Sequence, residues 1–556
     1  MNKDAMIRVV VESGRELFLP LPDEQVSLAR AIWLSGELSS PPLCSGLGRC
    51  GMCRVLFRSE HPEASKEEVS ILGADAVARG WRLACRHPAT AGIEVELPTE
   101  SGEEMPFSCW SGDTRGGESN ASVETEKGGF SIPSLLLLAV DLGTTSIQWQ
   151  LFSPEEGKGE KCPAGVRKLD LREETVFRVL SAGRVLNPQM GAGSDVISRV
   201  AAVRTSEGRK RLRELVLRLL QRVVRNASGP VKELCVAGNT AMTSILLDVD
   251  VEGLAAAPYR LTEKGGREVV LPGLPPVWIP PQPAPFVGGD LSAGMATLLF
   301  ERRVPFPFLL ADLGTNGEFV LALDERESLV ASVPLGPSLE GIGLTHGSVA
   351  GPGSVSAFQL GPLGLSCTVL GGGRPEKICG TGYLSLLDVL LRCGFLTREG
   401  KPAEAPPTPL ARRLAGTLQH DASGVWILPL EGGLAFSGTD AEELLKVKAA
   451  FSLALESLLN AAGLRSGDVV RFVLGGALGE KAPVDALENL GFLPQGAGGR
   501  TLAAGNTSLA GAGLLLRRPE LRERLVDWSG RCRVLELTER SAFTTHYMRH
   551  MAWGWA

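Results

Sequence analysis

The sequence has no apolar run that could cross a membrane, and it has no excess of positive charge. Its longest apolar runs, such as 135–140, fall far short of the roughly 20 residues that a spanning helix needs. The polar start at 1–4 lacks the apolar segment of a signal peptide. The 57 Lys and Arg nearly balance the 63 Asp and Glu, which disfavours a polyanion-binding surface. We therefore expect a cytoplasmic protein that binds neither nucleic acid nor a membrane.

Glycine and cysteine are the residue types whose distribution needs an explanation. With 556 residues, the chain is long enough for three or four packing units. It contains 67 Gly, and three of its 11 Cys, Cys44, Cys50 and Cys53, lie within ten residues. In a reducing compartment such a cluster is more often a metal site than a disulfide framework.

The cysteine spacing narrows the kind of metal site. Cys44-x5-Cys50-x2-Cys53 is followed at a distance by Cys85, all within a β-rich segment of about 100 residues. Structural zinc usually takes two short Cys-x2-Cys pairs, and only one is present here, so zinc and unrelated thiols are the weaker alternatives. The pattern resembles [2Fe-2S] ferredoxins of the adrenodoxin-like branch, and the resemblance implies that these four cysteines ligate the cluster.

A repeated strand-turn-strand pattern follows in the rest of the chain. Residues 137–151 are echoed by 308–322, and each copy has a buried strand, an Asp-Leu-Gly-Thr turn and an alternating strand. The repeat predicts two hairpins in two similar lobes. Glycines, threonine hydroxyls and an acid suit a phosphate with Mg²⁺, although one such turn alone is also a common hairpin sequence. A P-loop motif is absent from the sequence.

The two turns resemble the phosphate motifs of the ASKHA superfamily of sugar kinases, chaperone ATPases and actin. The resemblance places phosphate motifs at 141–146 and 312–317, connecting segments at 287–294 and 505–512, and an adenosine motif at 474–479. Small residues in the connecting segments would let two helices cross closely at a hinge between the lobes.

The ASKHA resemblance also implies a set of site residues. Asp141 and Asp312 are expected to hold Mg²⁺, and Asp290 either orients the attacking water or caps its helix. Lys448 lies on a helix predicted to start at Thr439 with a Thr439/Glu442 capping box. The residues expected to bind the nucleotide are Gly143, Thr144, Thr145, Gly314, Thr315, Asn316, Gly475, Gly476 and Lys448.

The fusion of these two parts resembles the reductive activators of corrinoid-dependent enzymes. Strings at 195–199, 238–242, 336–341 and 378–382 also carry this resemblance. It implies an α/β fold with a β-grasp ferredoxin domain (1–100) and two duplicated, RNase H-like ASKHA lobes (135–306 and 307–556). The Ser-, Gly- and Glu-rich composition of the segment between them predicts a flexible acidic linker (101–134). The implied activity is ATP-dependent reduction of a corrinoid protein from Co(II) to Co(I), with a [2Fe-2S] cluster, ATP and Mg²⁺ as cofactors.

The resemblance also suggests partners, and two departures bear on them. The expected partners are a corrinoid protein of a methyltransferase system, an upstream low-potential electron donor and, as an open option, a second copy in a homodimer. Residues 190–194 replace a Tyr-Gly pair common in the family, and about 35 linker residues stand where family members tend to carry a folded middle segment. Both departures leave dimer contacts and partner identity open.

Two other functions compete with this interpretation. An ASKHA small-molecule kinase with a fused redox-sensing ferredoxin domain would need no corrinoid. An activator of 2-hydroxyacyl-CoA dehydratases would hold its cluster between ATPase subunits, but this sequence has no Cys-x-x-Cys after Cys53.

Overall fold

The computed structural model describes residues 6–98, 135–154, 176–537 and 543–555, with short gaps at 12–13, 22–24, 39–44, 47, 49–50, 315, 362–363, 480 and 482. Cys44, Cys50, Thr315 and the predicted linker 101–134 lie outside the described residues. Within the described part, none of the helices combines the length and the apolar character that crossing a bilayer requires.

The N-terminal unit is a five-stranded mixed sheet in the order β2-β1-β5-β3-β4. Strand β1 runs antiparallel to β2 and parallel to β5. Alternate side chains of β1 and β2 are buried, because successive side chains of a strand point to opposite faces. Its elements are β1 (Met6–Val10), β2 (Glu16–Pro20), α1 (Leu28–Trp33), β3 (Arg54–Phe57), α2 (Lys66–Leu72), α3 (Ala74–Ala78), β4 (Trp81–Leu83) and β5 (Glu94–Glu96).

The next unit is a six-stranded sheet in the order β10-β11-β9-β6-β7-β8. Strands β6 and β7 form the first predicted hairpin, and β9 runs parallel to β6 on the other side. Its elements are β6 (Leu136–Leu142), β7 (Ser146–Pro154), β8 (Phe177–Leu186), α4 (Val196–Ala202), α5 (Ser206–Arg225), β9 (Val231–Gly238), α6 (Thr240–Leu247), β10 (Arg267–Val269), β11 (Val277–Ile279) and α7 (Gly289–Ala296), which continues as a π-helix (Thr297–Glu301).

A second six-stranded sheet repeats this arrangement in the order β22-β21-β12-β13-β14-β23. Strands β12 and β13 form the second hairpin, and β21 runs parallel to β12 as β9 does to β6. Because the hairpin and its parallel neighbour recur, the predicted duplication is confirmed. Its strands are β12 (Phe308–Leu313), β13 (Asn316–Ala322), β14 (Ser328–Pro334), β21 (Arg471–Gly475), β22 (Thr501–Gly505) and β23 (Arg533–Val534).

Two small sheets and eight helices complete the second half of the described chain. Helix α10 packs against β13 and β14. The sheets are β15 (Ser354–Gly361) with β16 (Gly364–Val369) and β17 (Lys377–Ile378), and β18 (Gln419–His420) with β19 (Trp426–Pro429) and β20 (Ala435–Ser437). The helices are α8 (Gly380–Arg392), α9 (Pro409–Ala415), α10 (Gly438–Ala462), α11 (Gly476–Gly479), α12 (Val484–Leu490), α13 (Thr507–Arg517), α14 (Leu521–Arg531) and α15 (Phe543–His550).

The start of α10 corrects one prediction. Ser437 is the N-cap residue, and its hydroxyl accepts the backbone N–H of Asp440 at 3.2 Å. Asp440 accepts the backbone N–H of Ser437 at 3.0 Å, which completes the capping box. The box predicted at Thr439 is therefore wrong by two residues, because Thr439 already lies inside the helix.

Helices α7 and α13 cross between the two sheets with their backbones in contact. A Cβ on Gly511 would lie 1.7 Å from the carbonyl oxygen of Ala293, and one on Gly294 would lie 2.7 Å from Oγ1 of Thr507. Side chains from both sheets share one buried cluster with these helices. The predicted close crossing of the connecting segments is confirmed.

Candidate functional site

The first of the two turns that resemble phosphate motifs joins β6 to β7. Asp141 lies near the end of β6, just before this turn. Asn506 Nδ2 donates to Asp141 Oδ2 at 2.7 Å, and Ser508 Oγ donates to Oδ1 at 2.9 Å. Both donors come from the start of α13, so the carboxylate of the first lobe is held by the second connecting segment. Burial raises the pKa of Asp141, and these two hydrogen bonds oppose the rise.

The second turn places Asp312 across the cavity at the end of β12. Burial, together with the nearby Asp141 carboxylate, raises the pKa of Asp312 to about 7. Two glycines at the junction of β21 and α11 make room for it: a Cβ on Gly476 would lie 2.6 Å from Asp312 Oδ1, and one on Gly475 would lie 3.2 Å from Oδ2. The strand-to-helix turn therefore approaches Asp312 closely only because these residues have no side chain.

Two further acids complete the group. Asp290 lies in the first turn of α7, and burial followed by repulsion from Asp312 and Asp141 raises its pKa to about 8. Gly288 occupies the N-cap position of α7, while Asp290 Oδ1 accepts the backbone N–H of Leu291 at 2.8 Å. Glu318 lies opposite Asp312 in the β12–β13 pair, and burial raises its pKa well above the ordinary value.

With Glu340, which also lines it, five carboxyl groups thus face one cavity. Burial, and after it repulsion between the carboxylates, raises the pKa of Asp290 and of Asp312. Hard oxygen ligands of this kind suit Mg²⁺. Glu318 was missed by the sequence reasoning, although an acid at a buried position of an alternating strand was a usable signal.

The rest of the cavity is lined by polar groups of the kind that bind phosphate. Asn239 Nδ2 donates to Thr144 Oγ1 at 2.7 Å. Thr145 Oγ1 donates to Glu340 Oε1 at 3.1 Å, which joins the first turn to the segment that follows β14. Among the described lining residues Arg184 is the one cationic side chain, and it lies opposite Gln148 in the β7–β8 pair. The lining residues are Asp141, Gly143, Thr144, Thr145, Ser146, Gln148, Arg184, Asn239, Asp290, Asp312, Leu313, Gly314, Asn316, Glu318, Glu340, Gly476, Asn506 and Ser508.

The structure brings most of the predicted nucleotide residues together at this cavity. Gly475 contacts the site through Asp312, and Thr315 lies outside the described residues. Arg184 was not predicted, because strand pairing brings it in from a distant part of the chain. Glu340 and Asn506 lie in the segments 336–341 and 505–512 noted above but were not predicted as site residues.

Lys448 is the predicted residue that the structure places elsewhere. Its ammonium group is fully buried and donates to the carbonyl oxygens of His550, Ala552 and Gly554 at 3.2, 2.8 and 2.7 Å. These contacts use all three N–H donors, so the prediction that Lys448 binds the nucleotide is corrected. Lys448 holds the end of α15 and the residues after it against α10.

The cysteine loop of the N-terminal unit fits a cluster site as far as it is described. Ala84 N–H donates to the carbonyl of Cys53 at 2.9 Å, which brings Cys85 next to the end of the loop. A Cβ on Gly46 would lie 4.0 Å from Cys85 Cβ. The start of the loop therefore also lies next to Cys85. Ser45, Gly46, Gly48 and Gly51 have positive φ angles, a conformation that favours glycine and lets a loop curl around a group it encloses.

Three family models match the chain. The 2Fe-2S iron-sulfur cluster binding domain matches residues 10–90. The RACo middle region matches residues 168–303, and the C-terminal domain of RACo, its ASKHA domain, matches residues 307–554. The two RACo models together cover more than half of the chain.

The chain belongs to the RACo family.

Two curated relatives are similar to this RACo family member. The corrinoid activation enzyme RamQ of Eubacterium limosum is 26% identical over 69% of this chain and 64% of its own length. A protein of Methanosarcina barkeri named [Co(II) methylated amine-specific corrinoid protein] reductase is 23% identical over 67% of this chain and 68% of its own length. The chain thus spans somewhat less than two thirds of RamQ.

The predicted fold class is confirmed for this RACo family member. A solved structure named reductive activator for corrinoid, iron-sulfur protein aligns over 98% of both chains with a TM-score of 0.63 and 22% identity, a likeness of fold. The match of the RACo middle region to 168–303 corrects the expectation that the family's middle segment is replaced by the linker. That region is present, inside the range predicted as the first lobe.

Proposed function

We propose that this chain uses ATP to drive the reduction of a corrinoid protein from Co(II) to Co(I), with the N-terminal domain as the electron donor. The observation that carries the proposal is the presence of a carboxylate-lined cavity between duplicated hairpins in the same chain as a ferredoxin-type cysteine loop. Relatives named for corrinoid activation and for reduction of a Co(II) corrinoid protein support the same activity.

The cavity residues divide into three roles in this proposal. Asp141 and Asp312 would hold Mg²⁺, and its charge would favour the ionised form of both carboxyl groups. The turns at 143–145 and 314–316 would bind phosphate oxygens through backbone N–H groups and hydroxyls, and Gly475 and Gly476 would line the adenosine side. Arg184 would offset the phosphate charge from β8.

Asp290 would orient the attacking water. Its first-turn position on α7 places the carboxyl group in the cavity wall, and a bound Mg²⁺ would favour the ionised form, which is the form that accepts a proton. Burial, and after it the charges of Asp290 and Asp312, raise the pKa of Glu318, so Glu318 would stay protonated on the cavity wall.

The hinge would convert nucleotide binding into domain movement. Thr145 and Glu340 join the two lobes across the cavity. The contact of α7 with α13 provides the pivot. Raising one electron by 100 mV costs about 2.3 kcal/mol, which is within the typical coupling free energy of about 1–3 kcal/mol between two sites.

The N-terminal domain would hold its cluster through Cys44, Cys50, Cys53 and Cys85. A [2Fe-2S] cluster supplies one-electron transfer when it is bound. Arg86 lies against the loop, since a Cβ on Gly48 would be 2.5 Å from its Nε. Its positive charge would favour an acidic docking partner or the reduced state of the site.

The proposal includes the organisation predicted above, with a ferredoxin domain, a linker and two lobes bounded at 100, 134 and 306. Partners would be a corrinoid protein of a methyltransferase system and a low-potential donor, and a homodimer remains part of the proposal to be tested. Cysteines that serve as ligands fit a reducing compartment, which supports a cytoplasmic location.

The decisive experiment is an anaerobic incubation with a Co(II) corrinoid protein and a low-potential reductant, followed by the absorption of Co(I). The methylated amine-specific corrinoid protein is the first substrate to test, within a panel from other methyltransferase systems. We expect Co(I) to appear with Mg-ATP and not with AMPPNP or without nucleotide. The proposal would be refuted in favour of a small-molecule kinase if ATP turnover depended on an added sugar or acyl substrate and no corrinoid protein gave Co(I).

A further inference from the structure

The cysteine loop is joined to the nucleotide-binding part of the chain by a short polar contact. Ser45, which directly follows Cys44, donates from Oγ to Asp195 Oδ2 at 2.6 Å. The backbone N–H of Ser194 donates to Ser45 Oγ at 3.0 Å, and the two hydroxyls lie 3.1 Å apart. The loop that should enclose the cluster therefore rests on residues 194–195.

Asp195 is itself fixed in place. It caps α4 by accepting the backbone N–H of Ser198 at 2.8 Å and the Ser198 hydroxyl at 2.7 Å. Gly193, with a φ of 148°, precedes it, and a Cβ there would lie 2.3 Å from Ser198 Cβ. The backbone at 193–195 can adopt this course only with glycine at 193, so its position is narrowly defined.

Arg199 connects this segment to the phosphate turn. Its guanidinium is fully buried, and Nε donates to the carbonyl of Gly193 at 3.0 Å. Nη2 donates to the carbonyl of Thr144, which lines the nucleotide cavity, and Nη1 donates to Gln189 Oε1 at 3.3 Å. Asp195 and Glu340 supply the negative charge that faces this buried cation. One rigid side chain thus bonds to the docking segment and to the turn at 143–145.

We propose that Asp195 and Arg199 are positioning residues that couple the seating of the cysteine loop to occupancy of the nucleotide cavity. The inference rests on the proposed nucleotide site, and it adds a second effect of nucleotide binding, namely a change in the contact of the cysteine loop with residues 194–195. Phosphate binding would draw the turn at 143–145 toward the ligand and shift the Thr144 carbonyl. The planar guanidinium fixes the distance between its acceptors, so the shift would pass to Gly193 and loosen the contact between Ser45 and Asp195. The N-terminal domain would then be released toward its electron acceptor.

A separate pair of contacts in this interface provides a matched control. Arg211 Nε on α5 donates to the carbonyl of Leu34 at 2.6 Å. Leu34 also packs against Gly191, where a Cβ would lie 3.0 Å from its Cδ2. These contacts hold the N-terminal domain in the same docked position, but no bond of Arg211 reaches the phosphate turn in the described structure.

The test is hydrogen-deuterium exchange of the full chain with its cluster, with and without Mg-AMPPNP, read on peptides that cover 28–38 and 188–195. Nucleotide binding is measured on the same samples with a fluorescent ATP analogue. We expect nucleotide to speed exchange in both peptides by at least about five-fold, the lower end of typical allosteric coupling. Peptides of β1 and β2 should not respond.

The variants test both ends of the connection. In Ser45→Ala and in Arg199→Lys the interface peptides should exchange rapidly and show no response to nucleotide. Because coupling is reciprocal, Ser45→Ala should also bind nucleotide more tightly, by at most the factor seen in the wild-type exchange. Arg211→Gln should raise the basal exchange and keep the nucleotide response. If Arg199→Lys fails to fold, Ser45→Ala tests the same connection from the surface.

The outcomes separate this inference from the proposed function. A chain that binds no nucleotide would overturn both. Binding without faster exchange in the wild type, or slower exchange, would overturn this inference alone. A nucleotide response that persists in Ser45→Ala or in a folded Arg199→Lys would show that another path carries the coupling, and it would equally overturn the inference.

Discussion

Replacing Asp312 by Asn should stabilise the protein when nucleotide and divalent cations are absent. Asp312 is surrounded by protein and lies near Asp141, and both effects penalise its ionised form. Asparagine has nearly the same shape and carries no charge. The substitution therefore removes the electrostatic cost and also removes a proposed ligand of Mg²⁺.

The sign and size of the effect follow from the pKa. The carboxyl group of Asp312 has its pKa raised from 3.8 to about 7 in the folded chain. Between these values the unfolded chain releases a proton that the folded chain keeps, so the wild type loses stability as the pH rises through this window. A gap of about 3 pH units at about 1.4 kcal/mol per unit gives up to about 4 kcal/mol at pH 8, and less than about 2 kcal/mol at pH 5.

The assay is thermal unfolding in EDTA at pH 8 and pH 5, and again at pH 8 with Mg-AMPPNP. In EDTA at pH 8 the Asp312→Asn variant should melt at least about 3 °C above the wild type, and the difference should shrink at pH 5. With Mg-AMPPNP the wild type should gain stability and the variant should not. Glu325→Gln removes an exposed acid from the loop after β13 and should change neither comparison. A variant less stable than the wild type in EDTA at pH 8 would refute the electrostatic reasoning.

Three further predictions concern the cysteine loop, the buried lysine and the glycine turn. Cys50→Ser should abolish the visible absorption of the cluster after reconstitution with iron and sulfide while the chain still binds nucleotide, and loss of both would argue that the domains fold as one unit. Lys448→Met leaves three carbonyl oxygens without their donor, so denaturant unfolding should show a free energy of unfolding lower by about 3 kcal/mol or more. Lys446→Met breaks only exposed ion pairs, so it should lower the free energy of unfolding by less than about 1 kcal/mol. Gly476→Ala places a Cβ 2.6 Å from a carboxylate oxygen at the end of β12 and should weaken nucleotide binding at least about ten-fold by titration calorimetry, whereas Gly463→Ala, with a similar φ and open space around it, should leave binding intact.

Much of the site could be predicted from the sequence because it is built from local patterns. The Asp-Leu-Gly-Thr strings at 141–144 and 312–315 each combine a buried strand with a turn, and burial of the strand places its terminal acid at the edge of the sheet. Because the string occurs twice, the sequence predicts two sheets with similar edges. Close helix crossing was predictable for the same reason, since small residues at 287–294 and 505–512 have few other uses in a buried segment.

The parts that could not be predicted depend on long-range pairing. Arg184 reaches the cavity only because β8 pairs with β7 in one register, and no local pattern in 177–186 marks an inward-facing arginine. Lys448 was predicted as a ligand because the segment 448–450 resembles a family position expected near the adenosine. Its acceptors are the backbone carbonyls at 550, 552 and 554, about 100 residues later in the chain, and these carry no signal in side-chain identity.

The backbone contact of α7 with α13 also determines where movement can be observed. Since the Ala293 carbonyl occupies the place of a side chain at 511, the two helices can rotate about this point but cannot slide past each other. Relative motion of the lobes is then a change of angle, and displacement grows with distance from the crossing. We expect spectroscopic labels on edge strands, such as β8 on one sheet and β23 on the other, to report a larger change than labels placed beside the crossing.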